Sequence, residues 1–362
     1  MSRNAIRSAT PSAGGTNAVH ANAVHRSRSW TVCAKLRSVI EVRRLRVLRA
    51  LADHGTVTAA AEVLHLTPSA VSQQLAALET EVGQELLERR GRRVSITSAG
   101  RLLLAHADTI LAEVERAEDA MRLHANGTNG EVRVTAFATA ISLLVAPALT
   151  RLRETSPGLS LVVRDAEGHQ GITQLLDGDA DLAIAVEHRG SPRPDDHRLT
   201  RIPLYAEPFV AVLPPAHPAA ASPFTPGAAA SVTPPSANPG GAGAGGAGAL
   251  ELAALANDDW VMPAPGNPIR DVVLLACEQA GFQPRIVHQS DDFRAVAALV
   301  AAGGGVSLVP RLAVPEPTLA LIRPLPDPAP TRRVYAAVRT SRADHPLITA
   351  TLAVLTEVAE KL

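Results

Sequence analysis

The sequence predicts an α/β protein assembled from three kinds of segment: a small helical unit closed by a basic hairpin, one long helix, and two α/β lobes of similar plan. Three observations predict it. Apolar residues between Leu45 and Val82 recur at helical spacing, a heptad-like seam follows between Leu103 and Met121, and after Gly130 short apolar runs alternate with helical stretches. At 362 residues the chain is long enough for two or three domains with real cores.

Composition narrows the function classes. The 35 basic and 35 acidic residues cancel, so any contact with a polyanion must be local. Lys35 and Lys361 are the only lysines, and the wealth of Arg, Ala, Gly and Pro reads as coding bias from a GC-rich genome. The two cysteines, Cys33 and Cys277, lie far apart and support neither a disulfide framework nor a cysteine metal site; a reducing, cytoplasmic setting fits. The longest apolar run, Ala295 to Val309, is broken by Gly303, Gly304 and Gly305 and falls short of the roughly 20 residues a spanning helix needs. A soluble chain with no membrane partner is expected.

Residues 1–40 stand apart. Arg3, Arg7, Arg26, Arg28, Lys35 and Arg37 occur with no acid before Glu41. The segment reads as an organellar transit peptide, a disordered basic arm, or a start codon assigned too far upstream, the last favoured with Val39 as the true start. His20 and His25 have no ligand-type neighbours, so no metal site is expected.

Residues 41–100 form the first unit. Leu45, Leu48 and Leu51 share one helix face, Gly55 and Thr56 close that helix and open the next, and Ala59, Ala60 and Ala61 let two helices approach closely. Thr67 is an N-cap and Pro68 takes the first helical position, opening the helix PSAVSQQLAALETEV. On a wheel turning about 100° per residue, Leu75, Leu78 and Val82 lie within about 40° of Val71. Ser69, Gln73, Ala76 and Thr80 lie on the opposite side, with Ser72 at the flank. That outer face is short, uncharged and able to hydrogen-bond, as a helix entering the DNA major groove requires, since Gln can pair bidentately with adenine. An ordinary solvated face is the alternative. Thr58, at the start of the preceding helix, joins the set expected to touch DNA. Next, LLERRGRRVSIT places Arg89, Arg90, Arg92 and Arg93 around Gly91 between apolar segments, a hairpin whose tip can reach phosphates or the minor groove.

These residues carry a resemblance. TAAAEVLHLTPSAVSQQLAALETEVGQELLERRGRRVSITSAG is similar to the winged helix-turn-helix of the LysR-type transcriptional regulators: the Ala-Ala pair, Ala70-Val71-Ser72, Leu78-Glu79, Gly83, Glu88-Arg89, Thr97 and Ala99-Gly100 follow the family's order. The chain departs from it at Pro68-Ser69, where Gln-Pro is common, at Gln73, where Arg is common, and at Leu87, where Phe is usual. The first two alter the reading surface, and the third changes core volume.

Residues 101–128 make the connector. Leu103, Ala107, Ile110, Val114, Ala117 and Met121 are spaced 4, 3, 4, 3 and 4 residues apart, a heptad seam for dimerisation, with packing inside one chain the alternative. Two copies would present two recognition helices to a palindromic promoter site in double-stranded DNA. The resemblance implies the same linker-helix dimer, with a tetramer beyond it.

The remainder alternates strand and helix: VRVTA, ISLLVAPALTRLRE, LSLVVRD, GITQLLDG and DLAIAV in a first lobe at 129–207, then FVAVLP, WVM, IRDVVLLACEQAG, RIVHQ, DDFRAVAALVAAG and VSLVP in a second at 208–330, with 331–362 returning towards the first. Such patterning argues for parallel sheets with a crevice at the strand ends. SPGLSLVV, GDADLAIA and AAGGGVSLVP follow the order of the LysR-type effector domain, so the resemblance implies a two-lobed α/β effector domain like type II periplasmic binding proteins, a homodimer or homotetramer, a small-molecule effector and RNA polymerase as a further candidate partner. By that pattern the effector meets Thr139 to Ser142 in one lobe and Gly266 with Asn267 in the other, where hydroxyls and an amide beside helix N-termini suit a carboxylate. Thr139 and Ser142 as mere N-caps are the alternative, and Asp291 and Asp292 read first as caps.

Residues 218–249 are Pro-, Ala- and Gly-rich and read as a disordered insertion. Gly241, Gly243 and Gly246 spell a dinucleotide motif there, but no strand precedes them, so no cofactor is expected. Enzyme signatures such as G-x-S-x-G are absent from the sequence. Cys277 stands alone in the effector region, so an intrachain disulfide sensor there is disfavoured. The sequence therefore points to a DNA-binding transcriptional regulator modulated by a small molecule; a solute-binding module whose N-terminal helices serve assembly is the alternative.

Overall fold

The computed structural model describes residues 40–90, 93–126, 129–167, 169–193, 196–221 and 249–362. Val39, the two histidines and Cys33 of the N-terminal segment, Gly91, Arg92 and the glycine run at 241–246 lie outside the described residues. The chain divides into two compact units, Met1–Leu104 and Ala105–Leu362.

In the first unit α1 (Val42–His54), α2 (Val57–Val63) and α3 (Pro68–Val82) pack around Leu45, Leu48, Leu51, Ala60, Ala61, Val71, Leu75 and Leu78, all buried. Val82, expected in the same stripe, is only half-buried because it ends the helix. Local chemistry sets the bounds: Ala59 N–H donates to Thr56 Oγ1 at 3.1 Å, Ala70 N–H to Thr67 Oγ1 at 3.2 Å, and Gly83 ends α3 at φ 67°, where a side chain would be strained. Strands β1 (Leu87–Arg90) and β2 (Arg93–Ile96) pair antiparallel as the expected hairpin. Glu79 ties it to α3, its Oε1 accepting Leu86 N–H at 2.8 Å and Leu87 N–H at 3.1 Å. A Cβ on Gly100 would sit 2.4 Å from the Leu86 carbonyl oxygen, so only glycine fits that approach.

Helix α4 (Ser98–Asn126) spans the division between the units. The second unit continues with β3 (Gly130–Ala136), α5 (Ala138–Ala140), a π turn at Ile141–Val145, α6 (Ala146–Thr155), β4 (Leu159–Asp165), α7 (Gln170–Asp177), β5 (Leu182–Val186) and β6 (Leu199–Leu213). The other lobe adds β7 (Asp259–Met262), α8 (Pro268–Gln279), β8 (Arg285–Gln289), α9 (Phe293–Ala301), β9 (Ser307–Pro310) and β10 (Leu321–Pro324); β11 (Thr331–Arg339) and α10 (Pro346–Ala359) return to the first. Among the described residues, no helix is long and apolar enough to cross a membrane.

The expected parallel sheets are parallel only in part. β3 pairs parallel with β4 and β5, and β7 with β8, whereas β5–β11, β11–β6, β6–β9 and β6–β10 are antiparallel. The reason is the double crossing between lobes. β6 passes from the first to the second and β11 passes back, so the two must oppose each other. β6 serves both lobes: Leu199–Pro208 pairs with β11 and Phe209–Val212 with β9, while Val210–Leu213 also meets β10. The segment expected to be disordered begins in order, because Pro218–Ala221 form a 3-10 turn in which Ala219 packs on the core.

Candidate functional site

The outward face of α3 is exposed at Ser69, Ser72, Gln73, Ala76 and Thr80, as is Thr58 on α2. Its hydroxyls are partly committed. Ser72 Oγ donates to the Pro68 carbonyl at 3.0 Å, Thr80 Oγ1 to the Ala76 carbonyl at 2.9 Å, and Ser69 Oγ shares a 3.0 Å bond with Thr67 Oγ1. In this state Ser72 offers an incoming base lone pairs and no proton. Gln73 makes no side-chain hydrogen bond among the described residues, so both its amide donors and its acceptor remain available. In the hairpin, Arg90 pairs with Arg93 across the strands, which puts Arg89, Arg90 and Arg93 at its distal end.

Along α4 the expected seam is not uniform. Ile110, Ala117 and Met121 are exposed, Met121 at 67%, while Leu103 and Val114 are half-buried. Ala107 is fully buried within the chain and has no surface left for a partner. The helix carries polar anchors that its apolar spacing did not announce. Glu115 Oε1 accepts from Arg339 Nε at 2.8 Å and its other oxygen from Ser341, and Asp119 Oδ2 accepts from Arg342 Nε at 2.6 Å. Arg342 also reaches Asp181, which Arg133 grips through Nε, Nη2 and its backbone N–H. Burial alone would raise the Asp181 pKa, but the Arg133 bonds and the Arg342 charge hold it below the ordinary range. No sequence periodicity signals such a clamp, because its members lie up to 226 residues apart.

Between the lobes of the second unit lies a cavity of about 690 Å³. Thr139, Ser142 and Asn267, which the resemblance places at the effector, line it. Gly266 does not: it is the φ 93° turn residue behind Asn267, with no side chain to offer the cavity. Neither hydroxyl is an N-cap. Phe137 occupies that position, Ser142 Oγ donates to the Ala138 carbonyl at 3.2 Å, and Thr139 Oγ1 accepts from Arg332 Nη1 at 3.1 Å. Asn267 does cap α8, accepting Ile269 N–H at 2.9 Å, and its Nδ2 donates to Asp291 Oδ1 at 3.0 Å. Asp292 caps α9 through Arg294 N–H at 2.8 Å, whereas Asp291, also read as a cap, caps no helix and instead accepts the loop Ala264 N–H at 2.9 Å.

Arg332 and Glu207, which sequence reasoning missed, form the buried centre of this region. They are 1% and 3% exposed, and Arg332 Nε and Nη2 both donate to Glu207 Oε1, at 2.8 and 2.5 Å. Glu207 Oε2 accepts Leu312 N–H at 2.6 Å, and the guanidinium lies 5.1 Å from the Phe137 ring centre. One ion pair on the crossing strands thus bonds Leu312 of the second lobe and Thr139 of the first. Glu167 stands nearby. Burial first, then the charges of Asp165 and Asp291, push its carboxyl up to about 7 against the opposing pull of Arg332 and the Ala138 N–H. Cys277 is fully buried, and burial pushes its thiol up to about 12.

Comparison with known proteins bears on both units. Residues 42–101 match the bacterial regulatory helix-turn-helix protein, lysR family, and residues 125–233 and 238–360 match the LysR substrate binding domain. The DNA-binding transcriptional dual regulator OxyR of Escherichia coli (strain K12) is 28% identical over 276 residues, 76% of this chain and 81% of that one. A probable hydrogen peroxide-inducible genes activator of Mycobacterium avium is 29% identical over 305 residues, 82% of this chain and 87% of that one. Among solved structures, a hydrogen peroxide-bound cysteine-to-serine mutant of OxyR from Corynebacterium glutamicum superposes with a TM-score of 0.52 at 25% identity, covering 90% of this chain and 94% of that one. The matched segments span more than half of the sequence, and the chain belongs to the LysR family of DNA-binding transcriptional regulators, with a winged helix-turn-helix and an effector-binding domain.

Proposed function

We propose that this regulator reads its operator through Ser69, Ser72 and Gln73 of α3, with Thr58 and the hairpin arginines on the phosphates, and that a small molecule in the interlobe cavity sets its affinity for DNA or the bend it imposes. The observation that carries the reading is the exposed, uncharged face of α3 with Gln73 unengaged, beside a hairpin rich in arginine. The exposed apolar residues Ile110, Ala117 and Met121 support pairing of two copies through α4, hence a palindromic site. The protein works in the cytoplasm, where a bound dimer or tetramer can meet RNA polymerase.

Peroxide, the inducer named for its relatives, does not carry over through Cys277. A thiol pushed up to about 12 is ionised at about one part in 10⁵ at pH 7, and the thiolate is the form that peroxide oxidises. Millimolar peroxide should leave DNA binding unchanged in the wild type and in Cys277→Ala alike. The primary test is to map binding sites across the source genome and to repeat binding on the recovered fragments. Retention of a defined palindromic sequence is the expected result; uniform, salt-sensitive retention of every fragment would overturn the reading.

A further inference from the structure

The cavity is expected to take an effector, and its chemistry indicates which class. Helix N-termini facing a cleft ordinarily seat an anion, but in the second lobe the protein's own side chains already take the donors around the start of α8. In the first lobe Glu167 lines the cavity together with Ala138 and Thr139. In the second, Ala264 N–H and Asn267 Nδ2 donate to Asp291 at 2.9 and 3.0 Å, and the Asn267 oxygen is taken by Ile269 N–H. The guanidinium best placed to bind a carboxylate, that of Arg332, spends Nε and Nη2 on Glu207 and Nη1 on Thr139.

Among the described residues, the cavity wall then holds five carboxylates, Asp165, Glu167, Asp291, Asp292 and Glu316, against Arg294 and the already paired Arg332. They are split between the lobes: Asp165 ends β4 and Glu167 follows it, and Asp291 and Asp292 follow β8. Closing the lobes brings like charges together, which is unfavourable until positive charge lies between them. Burial lifts the Glu167 pKa most, and the charges of Asp165 and Asp291 add to it against the pull of Arg332. Among the described residues no group of three or more His, Cys, Asp or Glu is arranged to hold a metal ion. Phe137, Leu143, Ile184, Val186, Ile269 and Phe293 supply apolar wall for a carbon body.

Resting on the reading of this cavity as the effector site, we propose that the effector is an organic cation, an ammonium or amidinium group on an apolar body, held between Glu167 of the first lobe and Asp291 of the second. Its charge removes the repulsion that keeps the lobes apart, so binding and closure favour each other. A carboxylate effector would meet a wall of its own sign, with Arg332 already spent on Glu207 and Thr139.

The test uses the full chain, isothermal titration and thermal unfolding at pH 8, with hexylamine, phenethylamine, agmatine and putrescine set against hexanoate and 3-phenylpropionate. At least one amine should bind saturably, weaken at least tenfold in both Glu167→Gln and Asp291→Asn, and bind less tightly at pH 6 than at pH 8 as Glu167 takes up a proton; the carboxylates should not bind. Circular dichroism checks that the variants fold, and Asp291→Asn keeps an acceptor for Ala264. Binding by no amine, or binding indifferent to both substitutions, overturns the proposal. Ser142→Trp, which fills the cavity, separates the two readings. A carboxylate that binds and is lost in Ser142→Trp leaves the cavity as effector site and removes the cationic class, whereas any ligand whose binding survives Ser142→Trp removes the cavity itself.

Discussion

The outer face of α3 and the interlobe cavity are both built to meet a partner, yet they treat polar side chains in opposite ways. On α3 the key amide, Gln73, has no partner among the described residues, and its neighbours bond only to their own turn of helix. In the cavity several polar groups are already bonded to one another: Thr139 to Arg332, Arg332 to Glu207 and Asn267 to Asp291. A surface that must read many base edges keeps its hydrogen bonds open. A pocket that must choose one molecule and move in response holds its groups in a network with a charge left over.

Perturbing the network should therefore unfold the protein, while perturbing the open face should only change what it reads. The largest effect is expected at Arg332→Met, which leaves the Glu207 carboxylate buried without its counter-ion and should destabilise the second unit by about 3–5 kcal/mol in urea unfolding. Replacing both partners with apolar residues of similar size should lose far less, and equal losses would show that packing rather than charge holds the crossing strands. Next comes the α4 seam. Ile110→Glu with Met121→Glu should weaken self-association, each by about 1.5–3 kcal/mol if the side chain is fully covered in the dimer, as read by analytical ultracentrifugation. An unchanged sedimentation profile would place the dimer interface elsewhere.

Gln73→Ala should leave the unfolding midpoint where it is and reduce discrimination at one base pair by about 1–3 kcal/mol. Removing Arg92 and Arg93 should weaken binding to all sequences alike and reduce the slope of log affinity against log salt by about 1 for each phosphate that an arginine no longer neutralises. If Gln73→Ala instead weakened every sequence equally, the contrast between reading face and phosphate anchor would collapse. The smallest effect belongs to Glu167. Its folded pKa of about 7 exceeds the ordinary 4.5, so the native state binds the extra proton between those values. The stability this carboxyl contributes is then fully present below pH 4.5 and falls as pH rises through 7. Glu167→Gln should remove that part of the pH dependence in thermal melts, and an unaltered profile would mean that another group carries it.

How much of this was legible varied with sequence separation. The stripe Val71, Leu75, Leu78 and the caps Thr56 and Thr67 are local, so residue order alone placed them. The first part of β6 escaped because Pro203 and Pro208 interrupt it; a register shift at Val334 and Tyr335 accommodates the extra residue. The regular helix α10 also escaped; its buried face includes Ile348 and Leu355, and it packs against α6 and β3, far back along the chain. In the cavity, Thr139, Ser142 and Asn267 were reached by resemblance, and Gly266, named with them, is not among the residues that line it.

The sequence by itself determined the helix-turn-helix, its wing, the connecting helix and the two-lobed plan, because each rests on periodicity and capping within about twenty residues. Only the tertiary structure decided that Glu207 and Arg332 would meet across 125 residues, that Glu115 and Asp119 would anchor α4 to Arg339 and Arg342, and that Asp291 would take the Ala264 N–H and the Asn267 amide at the cavity. A charge buried in a low-dielectric interior takes its meaning from whichever charge lies beside it, and that neighbour is set by how the chain crosses between the lobes.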